Sequence, residues 1–326
     1  MAAAEQIKSL IKSYGVGDDS RFYATAMQIA AAEAKKGHVT LADEIKKLID
    51  NAKSSKSKFA GVIRPLHDSV GQKELSELLE LIQPEFKLNN MILSSKINKS
   101  LRRILDEQSK IELLKHHNLH PRKKLLFAGP PGCGKTMSAS ALANELAIPL
   151  FVIRLDGLIS KYMGESIAKL RQIFNAMNQF RAVYLFDEFD SVGTTRTSLN
   201  EVGEIKRVLN SFLLQLEKDN SNSVIIAATN IPEFLDTALF RRFDDIIIYT
   251  LPELPEIKKL YVKRLDELNL SNSFNLEKIA TESIGLSYSE ISRVCEDLAK
   301  DILVYGIDEI SEGHFIDSIK HRKKPF

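Results

Sequence analysis

The chain has 326 residues, 44% of them hydrophobic, and its 45 basic and 43 acidic side chains leave a formal charge of +2. That length exceeds what one hydrophobic core usually organises, so two or three domains are expected, and the near balance of charge gives no global reason for nucleic acid or an anionic membrane as the main partner. Two cysteines, Cys133 and Cys295, exclude a disulfide framework and paired zinc-ligand spacing.

The first residues, Met1 to Lys8, lack the basic-then-apolar order of a signal peptide. No window approaches the roughly 18 uninterrupted apolar residues of a membrane span, so a cytoplasmic protein in a reducing compartment is expected. Asp18, Asp19 and Ser20 supply caps for a helix with Phe22, Ala26, Ile29 and Ala30 on one face, which Gly37 ends. Thr40 caps a second, with Leu41, Ile45, Leu48 and Ile49 at helical spacing. Residues 1–52 therefore read as a small helical N-terminal domain. The polar run Ser54 to Lys58 opens a linker assigned to 53–90, of which 59–90 carries no clear pattern.

The stretch from Ile97 to His117 is charged and amphipathic, with Leu101, Ile104, Leu105 and Ile111 placed to pack a helix on the sheet that follows. Short β-type runs then alternate with helical ones: Leu125–Phe127, Phe151–Ile153, Ala182–Phe186, Val224–Ala228 and Ile246–Tyr249. Alternation with continuously apolar strands predicts an α/β fold, a five-stranded parallel sheet with helices on both faces. After Pro252 and Pro255 the strand signals stop, and helical patterns at 256–268, 276–282, 288–305 and 311–320 predict an all-helical lid.

Residues Gly129-Pro130-Pro131-Gly132-Cys133-Gly134-Lys135-Thr136 fit G-x-x-x-x-G-K-[ST] between a strand and a helix, the context of a phosphate-binding loop. The glycines allow successive N–H groups to face phosphate oxygens, Lys135 meets the terminal phosphates, and Thr136 offers a hydroxyl to Mg²⁺. With Met137, this octet is the expected nucleotide-binding set. Cys133 fits the loop as a small residue, redox control through its thiolate being the alternative.

Val183 to Glu188 is an apolar strand ending in two carboxylates. Asp187 is the candidate holder of Mg²⁺, directly or at one remove, and Glu188 the candidate base or water-orienting group for attack on a γ-phosphate. Asn230, ending the run from Val224, is placed to hydrogen-bond water and a γ-phosphate oxygen, or is simply a turn former before Pro232. Arg241 and Arg242 precede the last strand, where surface ion pairs are the plain explanation. His116, His117 and His120 have no spaced Cys or carboxylate partner and read as solvated loop residues.

The phosphate loop, Phe186 to Asp190, Ala228-Thr229-Asn230 and Leu235 to Asp244 together resemble successive signatures of the AAA family of ATPases, from about Met91 to Arg322. The resemblance implies a P-loop sheet of the ASCE type, a large ATPase subdomain at 91–250 and a lid at 251–326. It also implies ATP and Mg²⁺ as cofactors, Asn230 as the sensor, and Arg241 and Arg242 as arginine fingers acting on a neighbouring copy. A finger in trans requires a ring of identical chains, usually six in this family. Ser160 to Ser166 resembles the family's central-pore loop, in which Tyr162, Met163 and Gly164 would grip an extended polypeptide, and Gly193–Asn200 is a candidate second pore loop. Gly285 to Ile291 is similar to the family's lid motif Gly-Phe-Ser-Gly-Ala-Asp-Ile, but Tyr288 and Ser289 replace its Gly-Ala pair.

The implied function is ATP-driven remodelling of protein substrates. The alternative is an ATP-gated assembly switch on nucleic acid, as in clamp loaders and initiators, against which the balanced charge and the Tyr-Met-Gly loop argue. The chain has no His-Glu-x-x-His motif of a zinc peptidase. It also resembles small bacterial AAA ATPases found alongside a subtilisin-like serine protease, which makes such a protease a candidate partner. Residues 1–52 are alternatively similar to the microtubule-interacting and trafficking domain.

Overall fold

The structure is a computed structural model that describes residues 25–32, 37–38, 41–44, 46–47, 49, 78–154, 165–189, 199–231, 240–268, 275–305 and 311–323, with the backbone alone over 199–206. The chain divides into two compact units, Met1–Pro65 and Leu66–Phe326. In the first, residues 25–32 are helical with Ala26 and Ala30 buried, and Gly37 adopts φ of +90°, which suits glycine alone. Phe22, Thr40, Ile45 and Leu48 lie outside the described residues.

In the second unit, six described strands form one sheet: β1 (Glu80–Ile82), β2 (Lys124–Ala128), β3 (Leu150–Arg154), β4 (Val183–Asp187), β5 (Val224–Thr229) and β6 (Asp245–Ile248). Their order is β1-β3-β4-β5-β2-β6. The strands from β2 to β6 are the five predicted parallel ones, and β1 adds an antiparallel edge, with Glu80 opposite Val152. This strand falls inside the segment read as linker, because three residues are too short to display a strand's alternation.

The amphipathic stretch before the sheet forms α1 (Ser95–Ser109) and α2 (Ile111–His116), separated at Lys110, whose φ of −111° and ψ of 29° leave the helical region. Ser94 caps α1 by accepting from the Ile97 N–H. Strand side chains alternate between faces. Leu125, Phe127, Val183, Leu185 and Ile226 therefore pack with Leu101 and Ile104 of α1 and with Ala139 and Leu142 of α3 (Lys135–Glu145). Phe186 faces the other way, meeting Phe174 of α4 (Ser166–Gln179) and Phe212 of α5 (Leu199–Lys218) at ring-centroid distances of 6.0 and 4.9 Å. Helices thus cover both faces, and the continuous hydrophobicity of the strands follows from this.

The lid consists of α6 (Leu254–Glu267), α7 (Leu276–Glu282), α8 (Tyr288–Tyr305) and α9 (Glu312–Lys323) around its own core of Tyr261, Leu265, Ile291, Val294, Phe315 and Ile319. Reciprocal bonds between Glu253 and Glu256 cap α6, and the Asn275 side chain caps α7. Tyr288 packs against both the sheet core and the lid core. Among the described residues no helix is long and apolar enough to cross a membrane.

Register decides where chemistry can occur. Ala128 lies opposite Thr229 and Phe186 opposite Ala227, so the carboxyl ends of β2, β5 and β4 sit side by side. That edge is where ligands settle on a parallel sheet.

Candidate nucleotide site

The loop after β2 is shaped by glycines whose positive φ angles other residues adopt only at a cost. Gly129 has φ of +145°, and a Cβ there would lie 2.1 Å from the Tyr249 carbonyl oxygen, so the chain passes too close to β6 for any side chain. Its N–H donates to the Thr229 carbonyl at 3.2 Å, fixing the loop's start to β5. Gly132 and Gly134 are also left-handed, at +73° and +91°, and Gly134 hands directly into α3 at Lys135. The first N–H groups of this 11-residue helix have no acceptor within the helix, and such a helix start after a glycine turn suits an anion. The Cys133 thiol is buried, and burial pushes its pKa above the ordinary value, so it stays protonated.

Lys135 is buried, which requires its ammonium to be paired. Its Nζ donates to the carbonyls of Gly129 at 2.6 Å and Pro130 at 2.9 Å, and to Asn230 Oδ1 at 2.8 Å. Asn230 reaches it because β5 neighbours β2 in the sheet.

The acidic strand end is joined to the same loop. Asp187 Oδ2 accepts from the Thr136 hydroxyl at 2.9 Å, and Oδ1 accepts from the Glu188 N–H at 2.9 Å. A hydroxyl and a carboxylate so placed form a hard, all-oxygen donor set suited to Mg²⁺, which takes one or two carboxylates and completes its shell with phosphate and water. Glu188 has φ of +52°, a conformation costing a non-glycine residue on the order of 1 kcal/mol. The next residue holds it there: the Phe189 N–H donates to the Ala228 carbonyl at 2.8 Å and its ring packs on Phe212. The twist turns the exposed Glu188 toward the cleft, so two successive carboxylates address one space.

These groups line a cleft of about 670 Å³ between the sheet and the lid. One wall is the segment Asn90–Leu93, whose Met91 and Leu93 side chains lie against Gly134. The other comes from α6 and α8, including Leu260, Arg264, Tyr288 and Ser292. Arg264 Nε donates to Ser292 Oγ at 3.2 Å, tying the two lid helices at the cleft.

Residues 125–251 match the family described as "ATPase family associated with various cellular activities (AAA)". An uncharacterized AAA family ATPase of Sinorhizobium fredii is 34% identical over 315 residues, covering 97% of this chain and 94% of its own. The chain belongs to the AAA family of ATPases. A putative 26S proteasome regulatory subunit homolog of Methanothermobacter thermautotrophicus is 31% identical over 62% of this chain, which spans only 55% of that protein. The AAA domain of FIGL-1 shares the fold, with a TM-score of 0.62 at 24% identity over 78% of this chain and 90% of that one. Solved with ADP, it gives a TM-score of 0.61 at 24% identity over 76% and 87%.

In this AAA chain the two arginines stand apart from the nucleotide loop. Arg241 and Arg242 precede β6, where the Asp244 N–H donates to the Lys124 carbonyl and Asp244 Oδ2 accepts from the N–H groups of Lys123 and Lys124. That is the amino end of β2, and the phosphate loop leaves the carboxyl end, roughly 13–17 Å away at a strand's rise per residue. Arg241 is exposed, while Arg242 Nε donates to Glu217 Oε1 at 2.6 Å. Tyr162, Met163, Gly164 and Asp190, with 193–198 and 235–239, lie outside the described residues.

Of the cleft's side walls, the AAA signatures disclosed only Tyr288 and Ser289 of the lid motif. Asn90–Leu93 carries no motif, and its place against Gly134 depends on tertiary packing. In the lid a signal existed: Leu260, Arg264 and Glu267 on α6 and Ser289, Ser292, Arg293 and Glu296 on α8 recur at helical spacing, making a second, partly charged face beside each helix's apolar stripe.

Proposed function

We propose that this AAA protein hydrolyses ATP with Mg²⁺ in a ring of its own copies and uses the cycle to remodel or unfold protein substrates. The observation that carries this reading is the convergence of Lys135, Thr136, Asp187, Glu188 and Asn230 on three adjacent strand ends around one glycine loop. Loop amides and Lys135 bind the phosphates, and Thr136 and Asp187 hold the metal. Mg²⁺, when bound, offsets the phosphate charge. Glu188 orients and deprotonates the attacking water, and Asn230 fixes the water and the γ-phosphate. The FIGL-1 AAA domain solved with ADP supports nucleotide as the ligand of this cleft.

Ring assembly is supported by the position of Arg241 and Arg242 at the far end of β2, from which neither side chain reaches its own chain's loop. They act on the nucleotide of a neighbour, in a hexamer if the family's usual number applies. Remodelling is supported by the likeness of Ser160 to Ser166 to a pore loop and by the relative named for a proteasome regulatory subunit. A separate subtilisin-like protease as partner has only the sequence resemblance behind it.

Glu188→Gln tests this reading: the variant should retain ATP without turning it over and co-purify with substrate and partner proteins. Normal turnover in that variant refutes the assigned role. Tyr162→Ala should keep ATPase activity and lose substrate processing, and unchanged processing refutes threading.

A further inference from the structure

The lid touches the phosphate loop through a backbone hydrogen bond from the stretch where Tyr288 and Ser289 replace the Gly-Ala pair of the family's lid motif. The Ser289 N–H donates to the Gly132 carbonyl at 3.1 Å. Ser289 lies in the first turn of α8, where N–H groups have no partner within the helix. Ser287 and Glu290 form a capping box just before it, the Ser287 N–H and Oγ both donating to Glu290 Oε2 and the Glu290 N–H to Ser287 Oγ. The Ser289 amide is thus directed away from the helix and capped by the loop.

The contact is close on both sides. A Cβ on Gly132 would lie 2.7 Å from Ser287 Oγ and 2.9 Å from Ser289 Cβ, so only glycine lets the lid turn seat there. Tyr288, between the two serines, packs into both cores and anchors the turn.

We infer that the Ser289 amide is a positioning group for nucleotide binding. A trans peptide is planar, so its C=O and the following N–H point in opposite directions. Holding the Gly132 carbonyl toward the lid therefore aims the Cys133 N–H into the concavity of the loop, where the proposed reading places a phosphate oxygen. The lid pre-orients one phosphate donor, and binding of phosphate is coupled to the seating of the lid in the same chain. This inference rests on the reading of the cleft as an ATP site.

Proline is tolerated in the first turn of a helix and removes the N–H, so Ser289→Pro deletes the donor while leaving α8 able to form. A fluorescent ADP analogue should bind Ser289→Pro on the order of tenfold more weakly than wild type, the worth of one backbone hydrogen bond. Ser289→Ala, which keeps the amide and trims only a side chain lining the cleft, should bind more tightly than Ser289→Pro. Ser289→Pro binding as wild type does overturns the inference, as does an equal loss in Ser289→Ala. Should Ser289→Pro misfold, amide hydrogen exchange on the wild-type protein decides: ADP should slow exchange at Cys133 and leave Ser289 at least as protected. Faster exchange at Ser289 in the ADP complex would mean that the bond breaks on binding, and the inference fails. Absence of ADP binding by wild type would instead remove the nucleotide reading itself.

Discussion

Lys135 Nζ donates to Asn230 Oδ1 at 2.8 Å, so the loop's cation and the amide at the end of β5 are joined across two adjacent strand ends. Asn230→Ala should lower kcat on the order of a hundredfold, the usual worth of a group aimed at developing charge, while nucleotide affinity changes only a few-fold. Lys135→Ala should weaken binding itself by at least tenfold. Steady-state kinetics alongside equilibrium titration separates the two; equal losses of affinity in both variants would contradict the division of roles.

Thr136 and Asp187 share one hydrogen bond at the corner proposed to hold Mg²⁺. Asp187→Asn keeps the shape and an acceptor but removes the charge that favours a divalent cation. Half-maximal ATPase activity should then require about tenfold more Mg²⁺, with substantial recovery at saturating metal. A Mg²⁺ titration that superimposes on wild type would show that the carboxylate does not hold the ion.

The central site was legible because its parts are local. An octet between a strand and a helix, two carboxylates ending an apolar run and an amide ending the next run each announce themselves in a few consecutive residues. What brings them together, β5 lying between β2 and β4, follows from the parallel fold once it is accepted. The edge strand β1 was not legible, since three residues show no period and its pairing with β3 spans some seventy positions. Nor was the wall at Met91 and Leu93, which follow a single 3-10 turn at Leu88–Asn90 and come against Gly134 only through tertiary packing. The break at Lys110 is hidden in the sequence for another reason: the apolar spacing runs on across it, and only the backbone angles depart.

Cys133 offers a pH-dependent test. Burial raises its thiol pKa, and the Lys135 charge only partly offsets this. The protonated thiol is therefore the form compatible with the fold: its stability contribution is complete below the ordinary thiol pKa and is lost as pH rises from there through the elevated folded-state pKa. At pH 7.5, iodoacetamide should label Cys133 more slowly than a free thiol, and nucleotide should slow it further. Cys295, pushed to about 12 by burial in the lid core, should resist as well. Rapid stoichiometric labelling of Cys133 at neutral pH, or peroxide inactivation reversed by thiol, would restore redox control as a live mechanism.

The separation of Arg241 and Arg242 from Lys135 by the length of β2 makes a prediction about mixtures. Glu188→Gln leaves a chain with intact arginines but a disabled water site, and an Arg241→Ala/Arg242→Ala double variant leaves the reverse. Each should be nearly inactive alone, with the loss of an arginine finger worth on the order of a thousandfold. Mixed in one ring, a double-variant chain keeps its own Glu188 and can receive arginines from a Glu188→Gln neighbour, so complete sites reappear. ATPase activity should therefore rise well above the sum of the parts and peak near equal proportions. The arginines cannot restore activity in this way if they serve only their own chain, and a flat response across all ratios, with mixed assembly verified by cross-linking, would reduce Arg242 to its ion pair with Glu217.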